Sequence, residues 1–199
     1  MGRAVGEIIA SATLGLRAGI VAARAGRRVS AWARERDPEA LARLDAAPSD
    51  GWVLLSDHLL LLEGFAADVG LDQLRSLARR RMRDRAPGTL SPGVVQSWTR
   101  SFAGDPHAIG RLGFHLWRNT VRNAGEMVQL HAAPGEIVVR FQNAPELAAS
   151  EAWREQIAGT SLGIQDLAGH DLEIAYRVLD DETVDTMLHW VAATDSPLP

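Results

Sequence analysis

The last third of the chain alternates apolar and polar residues with the period of two that is typical of β-strands. The alternating segments form two pairs, each joined by a short turn: 126–131 with 136–142, and 171–178 with 182–191. Pro134-Gly135 is the turn of the first pair. A segment of helical apolar spacing, about 146–167, lies between the two pairs. This order predicts a four-stranded antiparallel sheet interrupted by a helix.

The front half has the apolar spacing of helices, with Gly, Pro and Ser residues as start and stop signals. Residues 1–30 predict an N-terminal amphipathic helix, and further helices are expected at 39–46, 57–69, 71–85, 92–103 and 107–123. The predicted fold class is therefore α+β, with a helical N-terminal half followed by a four-stranded antiparallel sheet in ββαββ order. One domain is expected over 1–199, divided into 1–30, a helical part 31–124, a ββαββ part 125–191 and a tail 192–199.

The amino-acid composition says little about the fold, but it excludes several kinds of catalytic and binding chemistry. The chain has 199 residues, 46% of them hydrophobic, and a formal net charge of -4, which indicates a globular protein and does not favour nucleic-acid binding. It contains neither Cys nor Lys, so thiolate nucleophiles, Schiff bases and phosphate-loop lysines are excluded. No apolar run reaches the ~18–20 residues of a membrane span. A cytoplasmic location is expected.

Residues 52–65 are more apolar than one face of a helix requires, which is typical of a helix at the centre of a core or lining a cavity. Together with the expected inner faces of the strands, this helix predicts an apolar helix-sheet pocket. The candidate pocket residues are Leu55, Leu59, Leu62, His115, Val128, Leu130, Val139 and Phe141.

Short motifs of Gly and aromatic residues are distributed over about 30–191. They are Trp52-Val-Leu-Leu55, Gly70-Leu71, Leu116-Trp-Arg-Asn119, Val139-Arg-Phe141, Gly159-Thr-Ser-Leu-Gly163, Leu167-Ala-Gly169 and Leu188-His-Trp190. In these motifs the chain resembles a paralogous family of myxobacterial proteins. That family is similar to the ligand-binding superfamily of haem nitric-oxide sensors, vinyl-reductase-type domains and Golgi transport tethering subunits. The resemblance implies an apolar pocket that holds haem, another small molecule, a lipid chain or nothing.

For the haem sensors, the resemblance implies a proximal His on a long helix and a Tyr-x-Ser-x-Arg motif that holds the propionates. The single tyrosine, Tyr176, is followed by Arg177 and Val178 and does not match that motif. His115 is the candidate axial ligand if haem is bound. No His pair has the spacing of a local metal site, so we expect no metal and no cofactor, with haem through His115 as the open alternative.

Gly159-Thr160-Ser161-Leu162-Gly163 matches the nucleophile-elbow pattern of α/β-hydrolases. Asp166 or Asp180, then His170 or His189, follow in the required order. Because the preceding residues predict a helix rather than a strand, the glycines more simply indicate a turn or close packing.

Six arginines fall between Arg75 and Arg85. Arg79, Arg80 and Arg83 are candidates for a patch that binds an anion or an acidic partner, since guanidinium groups hold carboxylates and phosphates bidentately. The simpler interpretation is a solvated helix surface whose cations favour the C-terminal end of the helix dipole.

Together these features predict a non-enzymatic regulatory or sensory module that binds a small apolar ligand or a protein partner in the helix-sheet pocket. One alternative is a homodimeric interaction subunit without ligand, which would expose an apolar patch near the N-terminal helix or Trp32. The other is a hydrolase that uses Ser161. A cavity of ~300 Å³ or more would favour the ligand-binding module.

Overall fold

The computed structural model describes residues 4–84, 107–168 and 171–190. It has the predicted α+β fold class, with helices in the N-terminal half and a four-stranded antiparallel sheet in the C-terminal half. The helices are α1 Ala10–Ala22, α2 Gly26–Arg36, α3 Ala40–Ala46, α4 Leu55–Val69, α5 Leu71–Arg83, α6 His107–Thr120, α7 Pro145–Ala149 and α8 Glu151–Ala168. The strands are β1 Glu7–Ile9, β2 Trp52–Leu54, β3 Val121–Arg122, β4 Glu126–Ala133, β5 Glu136–Gln142, β6 Leu172–Val178 and β7 Val184–Trp190. The predicted helix 92–103 and the tail 192–199 lie outside the described residues.

The main sheet has the strand order β4-β5-β7-β6, and all neighbours are antiparallel. Strand β5 follows the predicted alternation, because Ile137, Val139 and Phe141 are buried while the residues between them are half-buried. The hairpin between β4 and β5 turns at Pro134-Gly135, where Gly135 has φ +84°. Glycine adopts this left-handed conformation without the steric cost that a Cβ brings.

The helical half also contains a small second sheet that the sequence analysis missed. Its order is β2-β1-β3, and its strands have only two or three residues each. The expectation of one helix over 1–30 was wrong, because this region forms β1, α1 and the start of α2. Strands this short give too few alternating positions for the period-two pattern to be recognised.

The helix predicted at 146–167 is interrupted at Ser150, between α7 and α8. Ser150 has extended backbone angles (φ -99°, ψ 105°), and its Oγ accepts a hydrogen bond from the amide of Trp153 at 3.3 Å. This is the role of an N-cap residue, which satisfies a free amide at the start of a helix. Ser150 therefore starts α8 and sets its direction.

Helices α5 and α8 approach each other closely through two glycines. A Cβ built at Gly159 would lie 2.2 Å from the carbonyl oxygen of Arg75, and one at Gly163 would lie 2.5 Å from that of Arg79. The same helices are joined by two ion pairs, Arg75 with Glu155 and Arg79 with Asp166, both bidentate. The two glycines of the Gly-Thr-Ser-Leu-Gly segment thus serve close helix-helix packing. Within the described residues, no helix is both long and apolar enough to cross a membrane.

We expect Gly159→Ala to lower the free energy of unfolding by about 1–3 kcal/mol, because the new methyl group forces α5 and α8 apart. This loss opposes the gain of up to about 1 kcal/mol in helix propensity that alanine brings. Urea unfolding followed by circular dichroism measures the difference.

Gly113→Ala is the matched control, since a Cβ there lies 3.4 Å from Cε of Met127, an ordinary contact. The Gly113→Ala control should leave the free energy of unfolding unchanged or raise it. Equal changes in the free energy of unfolding for the two variants would show that α5 and α8 have room for a Cβ at Gly159.

Candidate functional site

A cavity of about 230 Å³ lies between the helices and the inner face of the main sheet. It is bounded by α5, α6, α8, strands β5 and β7, and the junction of β1 with α1. Most of its wall is apolar, and its polar side chains are Ser11, Arg81, Gln156, Thr160, Ser161, Thr186 and the half-buried Thr120. Arg81 is the one charged side chain among the described lining residues. A cavity of this kind suits a small molecule that is mainly apolar.

Three aromatic side chains form one wall. Trp117 of α6 stacks on Trp153 of α8 with ring centroids 5.4 Å apart, and it meets Phe141 of β5 edge-on at 4.9 Å. The indole Nε1 of Trp117 donates a hydrogen bond to the carbonyl of Gly125 at 3.1 Å. Because both the packing and the hydrogen bond orient Trp117, this wall is preorganised rather than adaptable.

A buried histidine lies behind the polar part of the wall. His58 on α4 has no solvent exposure; its Nδ1 is 2.8 Å from Oγ1 of Thr13, and its Nε2 is 3.2 Å from Oε1 of Gln156. Since the Gln156 oxygen can only accept, Nε2 carries the proton and Nδ1 accepts from the Thr13 hydroxyl. Burial, and to a lesser degree the charge of Arg81, lower the pKa of His58 to about 4. His58 is therefore neutral at physiological pH.

Two polar atoms of the cavity wall are buried without a hydrogen-bond partner: Nη2 of Arg81 and Oγ1 of Thr186. Buried polar groups are nearly always satisfied in folded proteins. Both atoms have almost no accessible surface, and Nη2 of Arg81 packs against Gly15 of α1, so neither atom itself faces the cavity.

Two of the predicted pocket residues, Val139 and Phe141, line the cavity. The three α4 leucines, Leu55, Leu59 and Leu62, are buried in the core but outside the cavity wall. Helix α4 instead packs against α2, α5 and α8.

The expectation that Val128 and Leu130 face inward is corrected, since they are 36% and 46% exposed. Val128 pairs with Arg140 on the outer face, whereas Met127 pairs with Phe141 and reaches the cavity. A register shift between Gln129 and His131 then breaks the alternation at Leu130.

His115 is exposed on α6 and does not line the cavity. No His lies among the described lining residues, and His170 is outside the described part of the chain. The described residues also contain no group of three or more His, Asp or Glu side chains arranged to hold a metal ion. The donor set of this wall therefore does not fit a haem held by an axial histidine.

The three arginines of the predicted patch lie in different environments. Arg79 is paired with Asp166 of α8, Arg83 with the neighbouring Asp84, and Arg80 is exposed. This arrangement favours the interpretation as a helix surface over an anion site. Sequence analysis missed Arg81, although it follows the buried Leu77 by four positions and Leu74 by seven, which places it on the apolar face.

The segment around Ser161 lies inside α8, so it has no strand-to-helix turn of the kind that a nucleophile elbow requires. Asp166 is engaged by Arg79, Asp180 accepts a hydrogen bond from the amide of Glu182, and His189 is exposed on β7. Among the described residues, Ser161 therefore has no Asp-His pair beside it.

The chain has the fold of H-NOX domains. A variant H-NOX protein from K. algicida, in the unliganded Fe(II) state, matches with a TM-score of 0.63 and 11% identity, over 94% of this chain and 98% of that one. The K. algicida H-NOX protein itself matches with a TM-score of 0.58, 11% identity and coverages of 94% and 97%. An oxygen-binding H-NOX domain related to soluble guanylate cyclases matches with a TM-score of 0.53, 7% identity and coverages of 96% and 100%. No protein-family model and no curated protein matches the chain.

We expect the free energy of unfolding to fall by about 2 kcal/mol between about pH 7.5 and about pH 5, because His58 takes up a proton near pH 6.5 only in the unfolded chain. The folded pKa is depressed, so this stability is present above pH 6.5 and is lost as the pH falls toward 4. Urea unfolding at the two pH values measures it.

His58→Gln should abolish this pH dependence, whatever its overall stability, since glutamine does not titrate. His189→Gln, which replaces an exposed histidine, should retain it. A pH dependence that persists in His58→Gln would show that another group causes it.

Proposed function

We propose that this protein is a non-enzymatic sensory module that binds a small, mainly apolar ligand in the cavity between α5, α6, α8 and the main sheet. The observation that carries the proposal is the mostly apolar wall of a cavity of about 230 Å³ in an H-NOX-like fold. This volume is smaller than the ~300 Å³ named above as favouring a ligand-binding module, so the composition of the wall and not the volume supports the proposal. The cavity is partly open to solvent, so a small molecule can enter it without opening the fold.

The dimensions and walls of the cavity define the ligand class. Its volume is below the ~300–1,000 Å³ of pockets for drug-sized molecules, so the ligand is smaller than these. Apolar side chains such as Met82, Val139 and Phe141 supply most of the surface, which favours burial of hydrocarbon. The aromatic wall of Trp117 and Trp153 provides a flat, preorganised contact.

The position of the cavity suggests how binding could be transmitted. Its lining includes Ile8 and Ile9 at β1, Leu116 on α6 and Leu188 on β7. A ligand in contact with all three elements stabilises the arrangement in which they converge. Such a preference for one arrangement is what a ligand needs in order to shift a conformational equilibrium.

We further propose that this ligand is not haem. The haem interpretation depended on His115, which is exposed on α6, and the described wall offers no other histidine.

The first test is native mass spectrometry with an absorbance spectrum on protein purified from its native host. We expect a stoichiometric added mass of a small organic molecule and no Soret band. A clean apo mass, particularly at twice the chain mass, would contradict the proposal in favour of the interaction subunit. A Soret band that disappears in His115→Ala would instead restore haem.

A cavity-filling variant tests the location. Ala12 lines the cavity, so Ala12→Leu should weaken the binding of octan-1-ol by about tenfold or more, because the added methyl groups occupy the ligand's space. A change in the tryptophan emission spectrum reports binding, since octan-1-ol alters the polarity around Trp117 and Trp153 in the wall.

Ala18→Leu is the matched control, because Ala18 is exposed on the same helix. It should leave binding unchanged. Equal affinity of the Ala12→Leu variant and the wild type would place the binding site elsewhere.

A further inference from the structure

Arg81 differs from the other arginines of α5 because its guanidinium is neither paired with a carboxylate of the described residues nor fully exposed to solvent. Arg75, Arg79 and Arg83 each pair with a carboxylate of this chain, and Arg80 is exposed to solvent. Arg81 instead extends toward α1 and lines the cavity, and its Nη2 is buried without a hydrogen-bond partner. No salt bridge joins Arg81 to a carboxylate within the described residues.

The fold makes specific room for this guanidinium. A Cβ at Gly15 of α1 would lie 1.8 Å from Nη2 of Arg81, and one at Gly19 would lie 3.2 Å from its Cδ. Any larger residue at Gly15 would therefore displace the charged group. The absence of side chains at these two positions allows Arg81 to lie between α1 and α5 instead of extending into solvent.

Arg81 is half-buried, and a guanidinium that is partly removed from water without a counter-charge is energetically unfavourable. Burial lowers the pKa of Arg81, but an arginine stays protonated in proteins, so the positive charge remains at this partly buried position. Removing a charge from water is unfavourable unless an opposite charge and hydrogen bonds compensate. Nearby His58 is neutral, so it adds no second positive charge beside Arg81.

We propose that Arg81 binds the carboxylate of the ligand, and that the ligand is an amphipathic monoanion with an apolar body. This inference rests on the proposed function of the cavity and specifies its substrate class. Because Nη2 packs against Gly15 of α1, the ligand contacts the guanidinium through its other N–H donors, which form charge-assisted hydrogen bonds with a carboxylate. Since Arg81 is the one cation in the described wall, a single negative charge is matched and a phosphate dianion is not.

Neutral hydroxyl groups in the same wall complement this assignment. Thr160 and Ser161 line the cavity from α8. They precede Gly163, which packs against Met82, the residue that follows Arg81. They can donate hydrogen bonds to a carboxylate oxygen without adding charge. The remaining wall, formed by residues such as Ile157, Ile164 and Leu188, suits a hydrocarbon body.

Binding of octanoate and of its neutral counterpart octanamide, measured by isothermal titration calorimetry, tests the inference. We expect wild-type protein to bind octanoate roughly tenfold or more tightly than octanamide, because hydrogen bonds between charged groups are worth more than neutral ones. Arg81→Met keeps an unbranched apolar stem and removes the guanidinium, so this preference should disappear while octanamide binding persists. Arg81→Lys should retain part of the preference.

Arg80→Met is the matched control on the exposed side of the same helix, and it should leave both affinities unchanged. Gly15→Ala gives an independent variant that retains Arg81 but displaces its guanidinium, and it should reduce the preference for octanoate.

Equal affinities of the wild type for the two probes, or a preference that survives in folded Arg81→Met, would overturn the role of Arg81 while leaving the cavity as an apolar site. Binding of neither probe, together with a clean apo mass, would contradict the proposed function and this inference with it. Because the first comparison uses the wild type alone, it remains decisive even if a variant fails to fold.

Discussion

The close contact between α5 and α8 is the constraint on which the rest of the structure depends. At Gly159 and Gly163 the backbones of the two helices approach until no Cβ would fit, which fixes both their separation and their register. The ion pairs of Arg75 and Arg79 lie along the same contact. Exposed pairs of this kind contribute little free energy, but their bidentate geometry favours one alignment. The cavity lies beside this contact, so its shape follows from it.

Helix α5 contacts α8 with one face and α1 and the cavity with the opposite face. Successive residues of a helix are rotated by about 100°, so Arg79 and Arg81 project in nearly opposite directions. Arg79 therefore reaches Asp166 across α8, while Arg81 follows Leu74 and Leu77 onto the face that packs against α1 and the cavity. The single basic cluster of the sequence therefore contains an interhelical ion pair, a solvated surface and a half-buried cation beside the cavity.

The sequence predicted those parts of the fold in which a local pattern corresponds to burial. Strand β5 was found at its observed bounds because one of its faces is buried along its whole length. Strand β4 was also predicted, but which of its residues face the core was predicted wrongly. This strand lies at the edge of the sheet, has many exposed residues and contains a register shift. The cavity wall was mostly missed, since it is assembled from long-range contacts such as those of Trp117 with Trp153 and of Gly15 with Arg81. No local period encodes such contacts.

The fold determines where a ligand can lie, and the side chains of the wall determine which ligand it is. The described wall combines a rigid aromatic surface, several neutral hydroxyl and amide groups, and the single charge of Arg81. His58 adds hydrogen bonds behind Gln156 but no charge, because burial keeps it neutral. The two groups respond differently because an imidazole can lose its proton on burial, whereas a guanidinium stays protonated. Arg81 therefore keeps a positive charge beside the cavity, and an anionic group on the ligand is what would complement that charge.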